Sequence, residues 1–178
     1  MHPLLTGAIA AALFPALAHA AEPLTLNYKL GVVSAYQTRG LTFSDNRPAV
    51  QGLVTVSADS GLYGWAWGSS IADYSGANAE IGVAVGWTGT AGGATLDVAL
   101  SRYKYPGGEG VDFWEIPVSA AHTRGEWTWM LGAVWSPAQD TLGGQDNRYG
   151  YASATWTSPK APVSLTMQLG HEHGAFAP

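Results

Sequence analysis

The sequence offers few side chains whose type and spacing could do chemistry. His171-Glu172-His173 is its metal-like cluster. On a strand, His171 and His173 share a face and could chelate together, with a third ligand supplied from elsewhere. The cluster sits at the end of the chain, where ligands are rarely held rigid, so no metal is expected. Ser164 and His171 form no local motif with an acid, and no catalytic residue is assigned; an enzyme is not expected. Gly107-Gly108-Glu109-Gly110 and Gly143-Gly144 are loop glycines, not phosphate cradles, because no helix follows them. There are no cysteines, which removes disulfides, thiolate metal sites and cysteine nucleophiles together. No cofactor is implied. What remains is a scatter of polar side chains: Lys29, Gln37, Arg39, Gln51, Glu80, Asp97, Glu115 and Gln168. Charges of both signs so spaced either line a water-filled passage or pair into a plug across it.

The elements that must position these residues read as strands. A period of two runs through the chain. Ile81, Val83, Val85 and Trp87 alternate with Glu80, Gly82, Ala84 and Gly86, and Trp127, Trp129, Leu131, Ala133 and Trp135 with Thr128, Met130, Gly132 and Val134. Leu96, Val98 and Leu100, and Val163, Leu165, Met167 and Leu169, repeat the pattern. One face is large and apolar, the other small or polar. Turn-like clusters at Asp59-Ser60-Gly61, 89–93, 122–125 and 158–162 divide the chain into about nine strands, near 24–43, 48–58, 62–71, 79–88, 94–105, 111–121, 126–136, 148–157 and 163–172. Several have the roughly 9–11 residues of a tilted membrane-crossing strand.

The N-terminus predicts export. Leu4 to Leu17 is an apolar, alanine-rich run ending in Ala18-His19-Ala20, the pattern of a signal peptide over residues 1–20 with a mature domain over 21–178. No later apolar stretch approaches the roughly 20 residues of a membrane helix. The longer connections, 44–47, 72–78, 106–110 and 137–147, fall on one side if the strands run up and down, as outer-membrane barrels prefer. Tyr63, Trp65, Trp67, Trp87, Trp127, Trp129, Trp135 and Trp156 are expected to face lipid as an aromatic girdle. The polar set is assigned inward, because Arg or Lys facing lipid at the midplane costs about 2–4 kcal/mol. Arg102 and Lys104 fall on the apolar face by parity. There they would meet lipid phosphate at a rim, unless a bulge flips the register.

Residues 36–52 carry a more specific pattern. Tyr36-Gln37-Thr38-Arg39-Gly40-Leu41-Thr42 and Pro48-Ala49-Val50-Gln51-Gly52 resemble a signature of the TorF family of porin-like proteins. Asp59-Ser60-Gly61-Leu62-Tyr63 with Trp65, then Ala79-Glu80-Ile81, then Tyr103-Lys104-Tyr105-Pro106-Gly107 continue the resemblance in order. It implies an outer-membrane barrel and brings no substrate or catalytic residue with it. Family members look longer, with strands beyond the region matching Leu169-Gly170-His171-Glu172, so the chain is expected to lack closing strands. Nine strands also leave an edge unpaired in lipid, where barrels have even numbers.

The reading is therefore an all-β, antiparallel, up-and-down transmembrane β-barrel in the outer membrane, with lipid as partner and small polar solutes as cargo. A plugged structural or interaction barrel is the first alternative. The second is a soluble periplasmic β-sandwich that binds sugar through its tryptophans. The formal net charge of −5 argues against nucleic acid, whose phosphates need clustered Lys and Arg.

Overall fold

The computed structural model describes residues 23–177. The expected signal peptide lies outside the described residues. The strands are β1 (Leu24–Val33), β2 (Gln37–Thr38), β3 (Leu41–Thr42), β4 (Ala49–Ala58), β5 (Leu62–Tyr74), β6 (Ala77–Ala91), β7 (Ala94–Lys104), β8 (Phe113–Arg124), β9 (Trp127–Ser136), β10 (Asn147–Thr157) and β11 (Ser164–Gly174). One turn of 3-10 helix, Asp140–Leu142, precedes β10. Nine strands form one sheet in the order β1-β4-β5-β6-β7-β8-β9-β10-β11, and β2 with β3 makes a separate two-stranded hairpin. Every ladder is antiparallel. Apart from the hairpin the described residues form one layer, so the two packed sheets of the sandwich alternative are not found.

The sheet is strongly curled. Laid flat, β5 and β11 would stand about 29 Å apart at the usual strand spacing. Tyr36 and Arg39 are only three residues apart, a reach of at most about 11 Å. Yet the Tyr36 ring meets Trp67 on β5 at 5.4 Å while Arg39 bonds Glu172 on β11. Because strand side chains stand nearly perpendicular to their sheet, side-chain length does not close that gap, and both contacts are made only if the sheet curls around the hairpin. Among the described residues backbone pairing stops at β1 and β11, whose outer edges run in the same direction because eight antiparallel steps lead from the first strand to the last. Both are exposed on both faces along nearly their whole length.

The two faces are inverted relative to a water-soluble fold. Val54, Ile81, Val83, Val85, Val98, Leu100, Val118, Trp129 and Leu131 stand exposed on the outer face, whereas Ser69, Glu80, Ser101, Glu115, Ser136 and Asn147 are buried on the inner one. Trp87, Trp127, Trp135 and Trp156 are also on the outer face, with Trp127 opposite Trp156 in register and stacked on Trp129 at 6.3 Å.

Three expectations are corrected. Tyr63, Trp65 and Trp67 point inward, not toward the girdle: Tyr63 bonds Asp97, Trp65 meets Tyr103 and Trp67 meets Tyr36. The cause is the neighbouring strand. On the inner face β6 presents only Gly82, Ala84 and Gly86 across from them, leaving room for rings, and on the outer face the small Gly64, Ala66 and Gly68 lie beside Val85, Val83 and Ile81. Large-against-small packing overrides the rule that the bulky face looks out. The strand expected over 24–43 ends at Val33, and the chain then turns inward. The long connection expected over 72–78 is a two-residue turn, with Ser75 and Gly76 both left-handed (φ 52° and 92°), as type I′ hairpins require.

The same complementarity makes a prediction. A Cβ on Gly132 would run into the Tyr151 ring, while one on Gly150 meets nothing within 4 Å. Gly132→Val should therefore cost about 1–3 kcal/mol from overpacking, and Gly150→Ala less than about 1 kcal/mol in either direction. Urea midpoints of the two variants check this; equal midpoints would remove Tyr151 as the cause.

Candidate functional site

The site grows from the break after Val33. Thr38 to Leu41 closes a tight turn in which Arg39 and Gly40 are both left-handed (φ 50° and 82°). For arginine that backbone costs about 1–2 kcal/mol, so something must hold it there. Two anchors fix the segment behind the turn. Phe43 N–H donates to the Tyr36 carbonyl, and Ala72 N–H on β5 donates to the Phe43 carbonyl. Ala72 is free to do so because the β5–β6 register shifts between Ser70 and Tyr74. Ser44 Oγ accepts from Tyr36 N–H and donates to the Arg47 carbonyl, closing the loop on itself.

Arg39 is thereby carried across the interior. Its guanidinium donates to Glu115 on β8 at 2.5 Å and to Glu172 on β11 at 2.9 Å, and all three side chains are largely buried. Asn147 donates to Glu172 at 2.8 Å and accepts Phe176 N–H. The Arg39 guanidinium also lies 5.2 Å from the Tyr149 ring and 5.8 Å from that of Phe176, within cation–π range. Burial opposes the Arg39 charge, but the two carboxylates outweigh it and hold its pKa above the ordinary value, so the cation persists.

Beside this bridge, Tyr36 and Tyr105 hydroxyls donate to the two oxygens of Glu80, at 2.9 and 3.1 Å. Burial and the Glu80 charge push both phenols well above their usual range, so they remain protonated donors. A cavity of about 470 Å³ lies against these groups, walled by rings from Tyr36, Phe43, Tyr74, Tyr105, Phe113 and Phe176.

The structure thus brings Arg39, Glu80 and Glu115 of the predicted polar set to one end. Asp97 is inward but elsewhere, bonded to Tyr63. Gln51 bonds Ser69, and Gln168 bonds the Tyr149 hydroxyl from the open edge strand. Lys29 is exposed on β1, outside the cluster. Gln37 is exposed on the hairpin and is not part of the wall. Sequence reasoning missed Tyr36, Tyr105, Asn147 and Glu172 as site residues. Glu172 was legible, since on β11 it alternates inward while His171 and His173, paired with Gly150 and Arg148, face out. Among the described residues no group of three or more metal-ligating side chains forms.

Arg102 and Lys104 stand on the outer face with the register unbroken, so no bulge flips them. They share Asp112, at 3.5 and 3.4 Å, and Arg102 lies 5.0 Å from the Trp114 ring. Burial would raise the Asp112 pKa, but the Tyr105 N–H and the two cations outweigh it and set it below the ordinary 3.8. A lowered carboxylate pKa gives stability that is complete above the unfolded value and fades as pH falls through the folded one. The stability gap between the native protein and Asp112→Asn should therefore be full at pH 7, shrink below about pH 3.8 and vanish once the folded carboxylate is protonated. Urea titrations at pH 7 and pH 2.5 check this; a gap unchanged at low pH would assign it to the side-chain shape.

No curated protein and no solved structure matches the chain. Residues 17–178 match the family model described as "Bacterial protein of unknown function (Gcw_chp)". That match covers every described residue, and the chain belongs to this bacterial family of unknown function.

Proposed function

We propose that the protein is an outer-membrane β-barrel channel for small polar solutes, with the nine-stranded sheet as its wall and the Tyr36–Phe43 segment narrowing its mouth. The observation that carries this reading is the inversion of the two faces: exposed Val, Leu, Ile and Trp outside, buried Glu, Ser and Asn inside. An apolar surface spanning a whole sheet is not stable against water and marks a lipid or protein contact. Strands of 10–15 residues are long enough to cross a bilayer when tilted. The resemblance to TorF-family porins at residues 36–52 supports the same reading, as does the export signal. In lipid both free edges need covering. A single further strand antiparallel to β1 and β11 together would cover them, since those two run the same way.

A second reading is favoured by one observation. Arg39 ties β8 to β11 across the interior, which suits a plugged barrel acting through its loops. Protein extracted from outer membranes in mild detergent and placed in lipid vesicles separates the two. The vesicles should swell in arabinose and stay tight to dextran. Vesicles tight to every solute would leave the plugged reading, and recovery of the protein in the soluble periplasm would sink both.

A further inference from the structure

Four rings at the mouth form a chain that closes on a carboxylate. Tyr36 meets Phe43 at 5.5 Å, Phe43 meets Tyr74 at 5.8 Å, and Tyr74 meets Tyr105 at 5.0 Å. The two end rings then return through their hydroxyls to the same Glu80 carboxylate. All five residues line the 470 Å³ cavity. We propose that this cavity is a binding site for a small organic cation bearing an ammonium group.

The chemistry follows from what surrounds the space. Ring faces carry a negative quadrupole and attract a cation placed over them, most strongly where water is excluded. Glu80 is 3% exposed and accepts two phenol hydrogen bonds, yet no cation stands within ion-pair distance of it among the described residues. The cavity's other charges are Arg39, the Glu115 and Glu172 that engage it, and Asp73, which has no ion pair among the described residues. The lining therefore carries an excess of three acids over its one base. An anion would be repelled. A bare divalent metal would find only Glu80 and Asp73 outside the Arg39 bridge, two carboxylates where it needs six or more oxygen ligands, and Glu80 already accepts two phenol hydrogen bonds. An ammonium ligand meets both the ring faces and the uncompensated charge. The inference deepens the channel reading by naming a solute class, and rests on it only for the ligand's route of access.

Calorimetric titration of the full chain folded in a maltoside detergent tests it, with choline chloride as probe and sodium acetate, glucose and calcium chloride as comparisons. Choline should bind saturably, and the other three should not. Tyr74 makes no side-chain hydrogen bond among the described residues and is 39% exposed, so its replacement leaves no buried polar group without a partner. Tyr74→Leu should weaken choline binding about tenfold while Tyr74→Phe leaves it nearly unchanged. Glu80→Gln should weaken it at least as much as Tyr74→Leu. Choline binding no better than acetate or glucose, or equal affinities for Tyr74→Leu and Tyr74→Phe, would overturn the proposal. The titration involves no membrane. Choline binding with tight vesicles removes conduction alone, and leaky vesicles without choline binding remove the cation site alone.

Discussion

Arg39→Leu should destabilise the folded protein by about 3–5 kcal/mol, the usual cost of leaving buried charge without its partner. The loss falls on two carboxylates at once, since Glu115 and Glu172 have no other cation within ion-pair distance among the described residues. Arg39→Lys should recover only part of it: a single ammonium lacks the planar fork that reaches two acids in different directions. The triple variant Arg39→Leu, Glu115→Gln, Glu172→Gln should be far more stable than Arg39→Leu alone, because no charge is then stranded. The proposed channel supplies a second readout. With the bridge gone, the ion pairs that tie the turn to β8 and β11 are lost, so vesicle swelling should speed up and admit larger sugars. Chemical unfolding of the four proteins, with swelling rates beside it, decides the matter. If Arg39→Leu unfolds at the native midpoint, the bridge is incidental and the left-handed backbone at Arg39 has another cause.

Much of the sheet was legible in the sequence, and the reason is visible in β6 and β9. There Ile81, Val83, Val85 and Trp87, and Trp127, Trp129, Leu131 and Trp135, stand on one face with small or polar residues between them, so alternation alone fixes both strand and face. In β5 the same alternation exists with its meaning reversed. Trp65 and Trp67 look inward because Gly82 and Ala84 on the next strand give them room, and no property of β5 by itself reveals that. The hairpin was hidden for a different reason. Residues 34–43 have strand-like composition, and Gly40 was the lone hint of a turn. The decisive facts are the partners Glu115 and Glu172, 76 and 133 residues further along. Glu115 was read as an inward-pointing single and Glu172 was not, and which cation crosses to the two depends on how tightly the sheet curls.

Leu131→Arg is the substitution that most sharply separates lipid from water around the outer face. Leu131 lies near the middle of β9, between Ala120 and Ala152 on the flanking strands, and is 68% exposed. Its surroundings make no demand on side-chain volume, so packing contributes almost nothing to the comparison. If that face meets water, an arginine there changes stability by no more than about 0.5 kcal/mol and improves solubility. If it meets hydrocarbon, the same change costs about 2–4 kcal/mol at midplane depth. A charge nearer a rim reaches the headgroups and costs less, so Trp135→Arg, which sits opposite Arg148 close to the long-loop end, should lose at most about 1 kcal/mol of charge penalty. The depth dependence is the signature, because a protein partner covering the outer face would penalise both positions alike. Folding equilibria of the native protein and the two variants in lipid vesicles supply the numbers. A Leu131→Arg protein as stable as the native one would take the outer face out of the membrane, and the channel reading would go with it.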